Sequence, residues 1–266
     1  MKSVDVVIPV ADKNDQITRK CLDHLERTQK FPYNLILIED RGSSFSFGKS
    51  VNRGISQADS DLVIGMDSDA FPEPDAIEKL LKFAENYPHV GYFGVRIRHV
   101  GYGNGYGESL GWIYSNNPLD LVRQAWRTKA PIFYLKQMMK RGLFYWHLWN
   151  TNKFVPGMLG QATCFYAIRK SCWEDIGGLD ESFKRCSDVD LCFRILLSEK
   201  WFLTTCPHVT IIHLGYKARS VEFRRDFDNS NDSKKMEEKW PHEKIMQVVE
   251  ASKKGKFIIP TDNKRQ

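Results

Sequence analysis

Leu62-Val63-Ile64-Gly65-Met66 runs directly into Asp67-Ser68-Asp69. Five apolar residues without polar alternation read as a strand buried on both faces, and the acidic tripeptide marks where that strand ends. Two similar runs precede it. Val4-Asp5-Val6-Val7-Ile8-Pro9-Val10 is one, and Asn34-Leu35-Ile36-Leu37-Ile38-Glu39-Asp40 is a second buried strand, stopped by Arg41-Gly42-Ser43-Ser44. Between them Ile17, Cys21, Leu22 and Leu25 fall at helical spacing, and Lys49–Ala58 predicts a second helix. Pro74-Asp75 then opens a helix over Ala76–Asn86, and Val90–Ile97 is a fourth strand. Alternation at this pace implies right-handed βαβ units. The expected class is α/β, a mostly parallel sheet flanked by helices.

From Gly101 the periodicity weakens. Gly101–Gly107 reads as a loop, followed by helical candidates at Leu119–Thr128 and Ile132–Arg141. Regular pattern returns at Ala162–Ile168, then a helix at Lys170–Ile176, a turn at Gly177-Gly178, a helix from Ser187 to Ser198 and a last strand at Val209–His213. Beyond Arg224 the chain is polar and lysine-rich, with one short apolar helix at Ile245–Ala251, so the tail is expected to be peripheral. The organisation expected is one domain over 1–225, made of halves 1–100 and 156–225 around an insertion at 101–155, plus an extension at 226–266.

Composition narrows the class further. With 266 residues, 42% hydrophobic and 27% charged, the chain is no collagen, disordered tail or small disulfide scaffold. No stretch of 18 apolar residues exists, and Met1–Val10 meets polar sequence too soon for a signal peptide; a cytoplasmic protein is expected. The six cysteines form no C-x-x-C pair and read as reduced, mostly buried thiols. The net charge of +6 is unevenly placed: residues 112–154 hold seven Lys/Arg, one Asp and ten aromatics. That stretch suits an anionic or sugar-bearing partner, a peripheral contact with anionic lipid, or plain packing. No nucleic-acid motif accompanies it.

Asp-x-Asp by itself says little. Nineteen aspartates predict about 1.4 such pairs by chance, and four occur: Asp59/Asp61, Asp67/Asp69, Asp188/Asp190 and Asp226/Asp228. Context selects Asp67/Asp69. They follow a buried strand, outside its carboxyl end, where open α/β sheets bind ligands. Two carboxylates at that spacing can share one divalent ion or split between ion and ribose, and hard oxygen donors suit Mg²⁺ or Mn²⁺ bridged to a diphosphate. Asp40 repeats the placement at the end of the second strand. Asp188 opens a helix, where it could act on a ligand or merely cap the helix; Asp190 is expected to turn inward as a structural group. His213 ends an apolar strand and is either a core histidine or a ligand.

These residues together resemble the GT-A glycosyltransferases of family 2. The likeness is carried by Val-Val-Ile-Pro-Val, Ile-Glu-Asp-x-Gly-Ser, Asn52-x-Gly54 and Met66-Asp67-Ser68-Asp69 in the first half. Gly178-Leu179-Asp180-Glu181-x-Phe183, Ser187-Asp188-Val189-Asp190-Leu191-x-x-Arg194 and His213 carry it in the second. It covers about residues 3–100 and 155–215. The resemblance implies a single GT-A-like, Rossmann-type domain with a helical and aromatic insertion. It also implies a metal-dependent inverting transfer from a nucleoside-diphosphate sugar, a UDP-sugar favoured, to a saccharide, lipid-linked glycan or protein. Pro9, Val10, Asp40, Asn52, Asp67 and Ser68 would bind the donor, Asp67 on its ribose side; Asp69 and His213 would hold Mn²⁺ or Mg²⁺; Asp188 would be the catalytic base. The chain departs from the family in Ser187, where a glutamate is common, and in Arg41, where a glycine is common.

Two other classes match parts of the sequence. Gly42-Ser-Ser-Phe-Ser-Phe-Gly48-Lys49-Ser50 approaches a P-loop and would make the chain a phosphotransferase or NTPase, but five residues separate its glycines where four are required. A nucleotide-sugar-binding module without turnover is the non-enzyme alternative.

Overall fold

Val4–Val10 (β1) is buried at every position because it lies inside a sheet, between Tyr33–Glu39 (β2) and Leu62–Met66 (β3), parallel to both. The computed structural model describes residues 3–40, 45–100, 108–114, 145–149, 157–215 and 230–255. The remaining strands are Ala70–Pro72 (β4), Val90–His99 (β5), Glu108–Tyr114 (β6), Tyr145–Trp149 (β7), Phe165–Arg169 (β8) and Phe202–His213 (β9). The sheet runs β2-β1-β3-β8-β5-β6-β7, with β9 joined to β5 and β4.

The α/β class expected from the sequence is the one observed, and the sheet itself is mixed. β8 runs antiparallel between β3 and β5, and β5–β6, β6–β7 and β4–β9 are also antiparallel. Among the described residues, six of the nine strands still share one direction, which follows from these pairings together with the parallel β5–β9 ladder. β2 differs from its expected burial: as the edge strand it has β1 as its strand neighbour, and Leu35 remains 43% exposed.

The helices are Gln16–Thr28 (α1), Phe47–Gln57 (α2), Ala76–Glu85 (α3), Lys170–Ile176 (α4), Ser187–Leu197 (α5), Asp232–Lys239 (α6) and His242–Lys254 (α7). Asp15 caps α1 by accepting from the backbone N–H groups of Ile17 and Thr18. Ser46 caps α2 through Lys49 N–H. α1 is tied to the turn after β3 by the Cys21 thiol, which donates to the Ala70 carbonyl at 3.2 Å. Burial pushes that thiol up to about 12, so it stays protonated and available as a donor. None of the six cysteines forms a disulfide.

Three features escape the sequence pattern. β9 starts seven residues before Val209; Pro207 lies where its register against β5 shifts, a place a strand tolerates proline. β4 is only three residues long. The insertion contributes strands β6 and β7, not helices, in its described part; the loop at 101–107, both helical candidates and Arg41 lie outside the described residues. Among the described residues no helix is long and apolar enough to cross a membrane.

Helix α2 lies unusually close to the sheet. A Cβ on Gly54 would meet Val7 Cγ1 at 2.3 Å and Ile38 Cγ1 at 3.2 Å. Helix propensity alone favours alanine over glycine by about 1 kcal/mol. Overpacking costs about 1–3 kcal/mol, so Gly54→Ala is expected to lower stability in urea unfolding; a gain in stability would show that α2 can move off the sheet.

Candidate active site

The turn after β3 is fixed from three sides. Ala70 N–H donates to the Asp67 carbonyl at 3.1 Å, Asp67 N–H donates to the Cys164 carbonyl at 2.9 Å, and Ala70 pairs with His213 in the β4–β9 ladder. That ladder brings His213 to the acidic turn across 144 positions of sequence. Its Nε2 is 3.4 Å from Asp67 Oδ2 and 3.4 Å from Asp69 Oδ1, while Nδ1 is 3.3 Å from Cys164 Sγ. Asp69 Oδ2 accepts from Gly215 N–H at 3.0 Å, and Leu214 N–H donates to the Asp69 carbonyl. Burial alone would lower the His213 pKa; the Cys164 sulfur and the two carboxylates outweigh it and hold it well above the ordinary value.

This donor set fits a divalent cation. Donor atoms of Asp67, Cys164 and His213 lie within 4.8 Å of one another. Among the described residues, Asp67 Oδ1 is a buried oxygen with no hydrogen-bond partner, an uncompensated cost that a cation would remove. Burial pushes the Cys164 thiol up to about 11, so the carboxylates, not a thiolate, are the donors ready at neutral pH, and a cation would displace the proton that His213 holds before its imidazole could ligate. Asp67 and Asp69 thus both face the same imidazole nitrogen of His213. Ser68, at the apex of the turn, is buried.

Asp188 is partly buried in the first turn of α5. It is not the helix cap: Cys186 holds that position, and Asp188 Oδ1 accepts from Val189 N–H at 2.9 Å. Burial pushes its carboxyl up to about 6; the N–H groups of Val189 and of Asp188 itself oppose the rise, and the charge of Asp67 adds to it. The last effect puts Asp188 and the acidic turn within electrostatic reach of each other. Asp190 points inward, fully buried, and its Oδ2 accepts from Arg194 Nε at 2.8 Å.

The remaining predicted residues divide. Pro9 and Val10 end β1 at the same sheet edge, where the Val10 carbonyl accepts from Asp40 N–H at 3.0 Å. The Asp40 carboxylate is held by the Ser50 hydroxyl and by Arg53 at 3.1 Å, which keeps its pKa below the usual range. Asn52, expected on the donor side, has its amide engaged within the protein. Its Nδ2 donates to the Leu179 carbonyl and to Glu181 Oε1, both at 2.9 Å, and its Oδ1 accepts from Leu179 N–H at 2.8 Å. It joins α2 to the turn after α4.

That turn needs glycine. Gly177 and Gly178 have φ of 77° and 71°, and a Cβ on Gly178 would meet Asn52 Oδ1 at 2.5 Å. Arg194, which the sequence left without a role, secures the same turn by donating to the carbonyls of Ile176 at 2.8 Å and Gly178 at 2.6 Å. Its i, i+4 spacing from Asp190 was the available signal.

The chain belongs to glycosyl transferase family 2, whose sequence profile matches residues 7–146. Among solved structures, S. aureus TarS superposes with a TM-score of 0.51 at 14% identity, covering 80% of this chain and 37% of that one. A TarS 1–349 structure gives 0.51 at 14% identity, covering 98% of this chain and 81% of that one. The likeness is one of GT-A fold, and the chain spans well under half of the longer TarS chain. No curated protein sequence matches it.

Removing Arg194 leaves the Asp190 charge short of one partner and frees two turn carbonyls. Arg194→Met is expected to destabilise the protein by about 3 kcal/mol, read as a lower urea midpoint; a loss under about 1 kcal/mol would mean the turn is held without it.

Proposed function

We propose that the chain transfers a sugar, with inversion, from a nucleoside-diphosphate sugar to an acceptor hydroxyl, using Mn²⁺ or Mg²⁺. The observation carrying this reading is His213 Nε2 held 3.4 Å from both Asp67 and Asp69, with the Asp67 charge felt at Asp188, whose carboxyl is pushed up to about 6 mainly by burial. Asp67, Asp69 and His213 would hold the cation, which when bound neutralises charge on the departing diphosphate. Pro9 and Val10 at the end of β1, Asp40 and Ser68 line the path expected for the nucleotide, a uridine diphosphate favoured.

The chemistry asked of the protein is modest. The acceptor oxygen forms its bond to the anomeric carbon, the bond from that carbon to the diphosphate oxygen breaks, and the electron pair leaves with the diphosphate. The hydroxyl proton passes to the Asp188 carboxylate as the new bond forms. One carboxylate on the acceptor side suits a single displacement and therefore inversion. The acceptor class is a saccharide, a lipid-linked glycan or a protein. A P-loop reading is disfavoured by family membership and by Lys49, which is exposed on α2.

Nucleoside diphosphate with Mn²⁺ is expected to raise the melting temperature by several degrees, UDP most, and Asp67→Asn is expected to abolish the shift. Absence of a shift with uridine, guanosine, cytidine and thymidine diphosphates would contradict the reading. Asp188→Asn is expected to keep that shift while turnover falls at least about a hundredfold; retained turnover would remove Asp188 from the chemistry.

The raised pKa also sets a pH profile. Below about 6 the Asp188 carboxyl holds its proton and cannot accept another, so kcat/KM is expected to rise with pH through about 6 and then level. A flat profile from pH 5 to 8 would contradict the assignment.

A further inference from the structure

The start of α5 carries Asp188 and is braced from outside the helix. Its cap residue Cys186 has a left-handed φ of 61° and its side chain makes no capping bond. The loop before it and its first turn are gripped instead by α6 and Trp240. Asp232 accepts from Arg185 N–H, and Arg185 also reaches the Ser233 hydroxyl at 3.5 Å. Lys235 donates to the Ser182 carbonyl. Lys239 lies 2.7 Å from Asp180 Oδ2 and 2.7 Å from Asp190 Oδ1, with its ammonium 5.4 Å from the Phe183 ring centroid. Trp240 Nε1 donates to Asp190 Oδ1 at 2.9 Å, and its ring meets Phe193 edge to face at 5.2 Å.

We infer that this C-terminal segment, through Lys239 and Trp240, is a positioning element for Asp188, an inference that rests on the base role proposed above. The back of α5 is already fixed by Leu191, Cys192, Ile195 and Leu196, all buried in the core. The polar contacts from α6 and Trp240 fall elsewhere, on residues 180–190, the segment that aims Asp188. A fully buried carboxylate with an Arg, a Lys and an indole N–H upon it contributes little net stability compared with apolar packing, but it admits few alternative geometries. Asp188 is two residues from Asp190 on the same turn, so releasing Asp190 lets the turn rotate and moves the carboxyl that must meet the acceptor. A displacement of about 1 Å in such a group costs rate without touching donor contacts.

The test compares Trp240→Phe, which keeps the ring and deletes the N–H, with Lys239→Gln at a partly exposed position. Release of nucleoside diphosphate from the best of a panel of nucleotide-sugars with Mn²⁺ gives kcat and donor KM, and amide exchange is followed over residues 180–190 and over β1–β3. The expected result is a kcat lower by about tenfold or more, donor KM within about twofold, and faster exchange confined to residues 180–190. In an Asp188→Asn background neither change should cost further turnover. A kcat within about twofold of wild type in both variants overturns the inference, as does a parallel loss of donor affinity. Should Trp240→Phe not fold, Lys239→Gln decides. Should the wild type release no nucleoside diphosphate from any donor, the base role fails first; the inference then stands or falls on exchange, where unchanged or uniformly faster amides overturn it.

Discussion

The structure depends on a costly convergence of acidic groups. Two carboxylate oxygens, each 3.4 Å from the same imidazole nitrogen, cannot be more than about 7 Å apart, and at an effective dielectric near 20 their repulsion is at least about 2 kcal/mol. Asp188 adds a third acid whose proton is held more tightly because of burial and Asp67. Only a local positive charge makes this arrangement tolerable. His213 supplies it here, delivered by a ladder just three residues long between β4 and β9. The proposed cation would relieve this crowding, since Asp67 Oδ1 is buried without a hydrogen-bond partner among the described residues.

The second half of the site is built on a different principle. Asp188 lies in a segment held by directional polar contacts. Asn52 and Arg194 close the glycine turn from opposite sides, and Lys239 and Trp240 close on Asp190. Each group has partners from a distant part of the chain, so the loop from Gly177 to Ser187 is held by residues from α2, α5 and α6 at once. Such a network fixes geometry where apolar packing cannot, because hydrogen bonds have direction and hydrophobic contacts do not.

Much of this was legible in the sequence where the signal is local. The buried runs at Val4–Val10 and Leu62–Met66, the helical spacing after Ile17 and the acidic turn at Asp67–Asp69 all fold as their patterns dictate. What was not legible is set by partners far away in sequence. β2 carries an apolar run yet lies at the edge, a consequence of sheet order that periodicity does not encode. β8 has the apolar run of a parallel strand and pairs antiparallel. Asn52 carries a motif associated with ligand, but its amide is consumed by Leu179 and Glu181, 127 and 129 positions away. Trp240 lies in a lysine-rich stretch that looks like solvated tail, and its burial depends on an aspartate 50 positions earlier.

The proposed transfer requires the cation held by Asp67, Asp69 and His213 to share one cleft with Asp188. The most direct measurement is a crystal structure with Mn²⁺ and a nucleoside diphosphate, the metal located by its anomalous scattering. The account predicts one Mn²⁺ peak ligated by Asp67 or Asp69 together with His213, touching the diphosphate, with the Asp188 carboxylate facing the same space across room for one sugar ring. A peak away from these side chains, or an Asp188 carboxylate separated from the diphosphate by intervening protein, would contradict it.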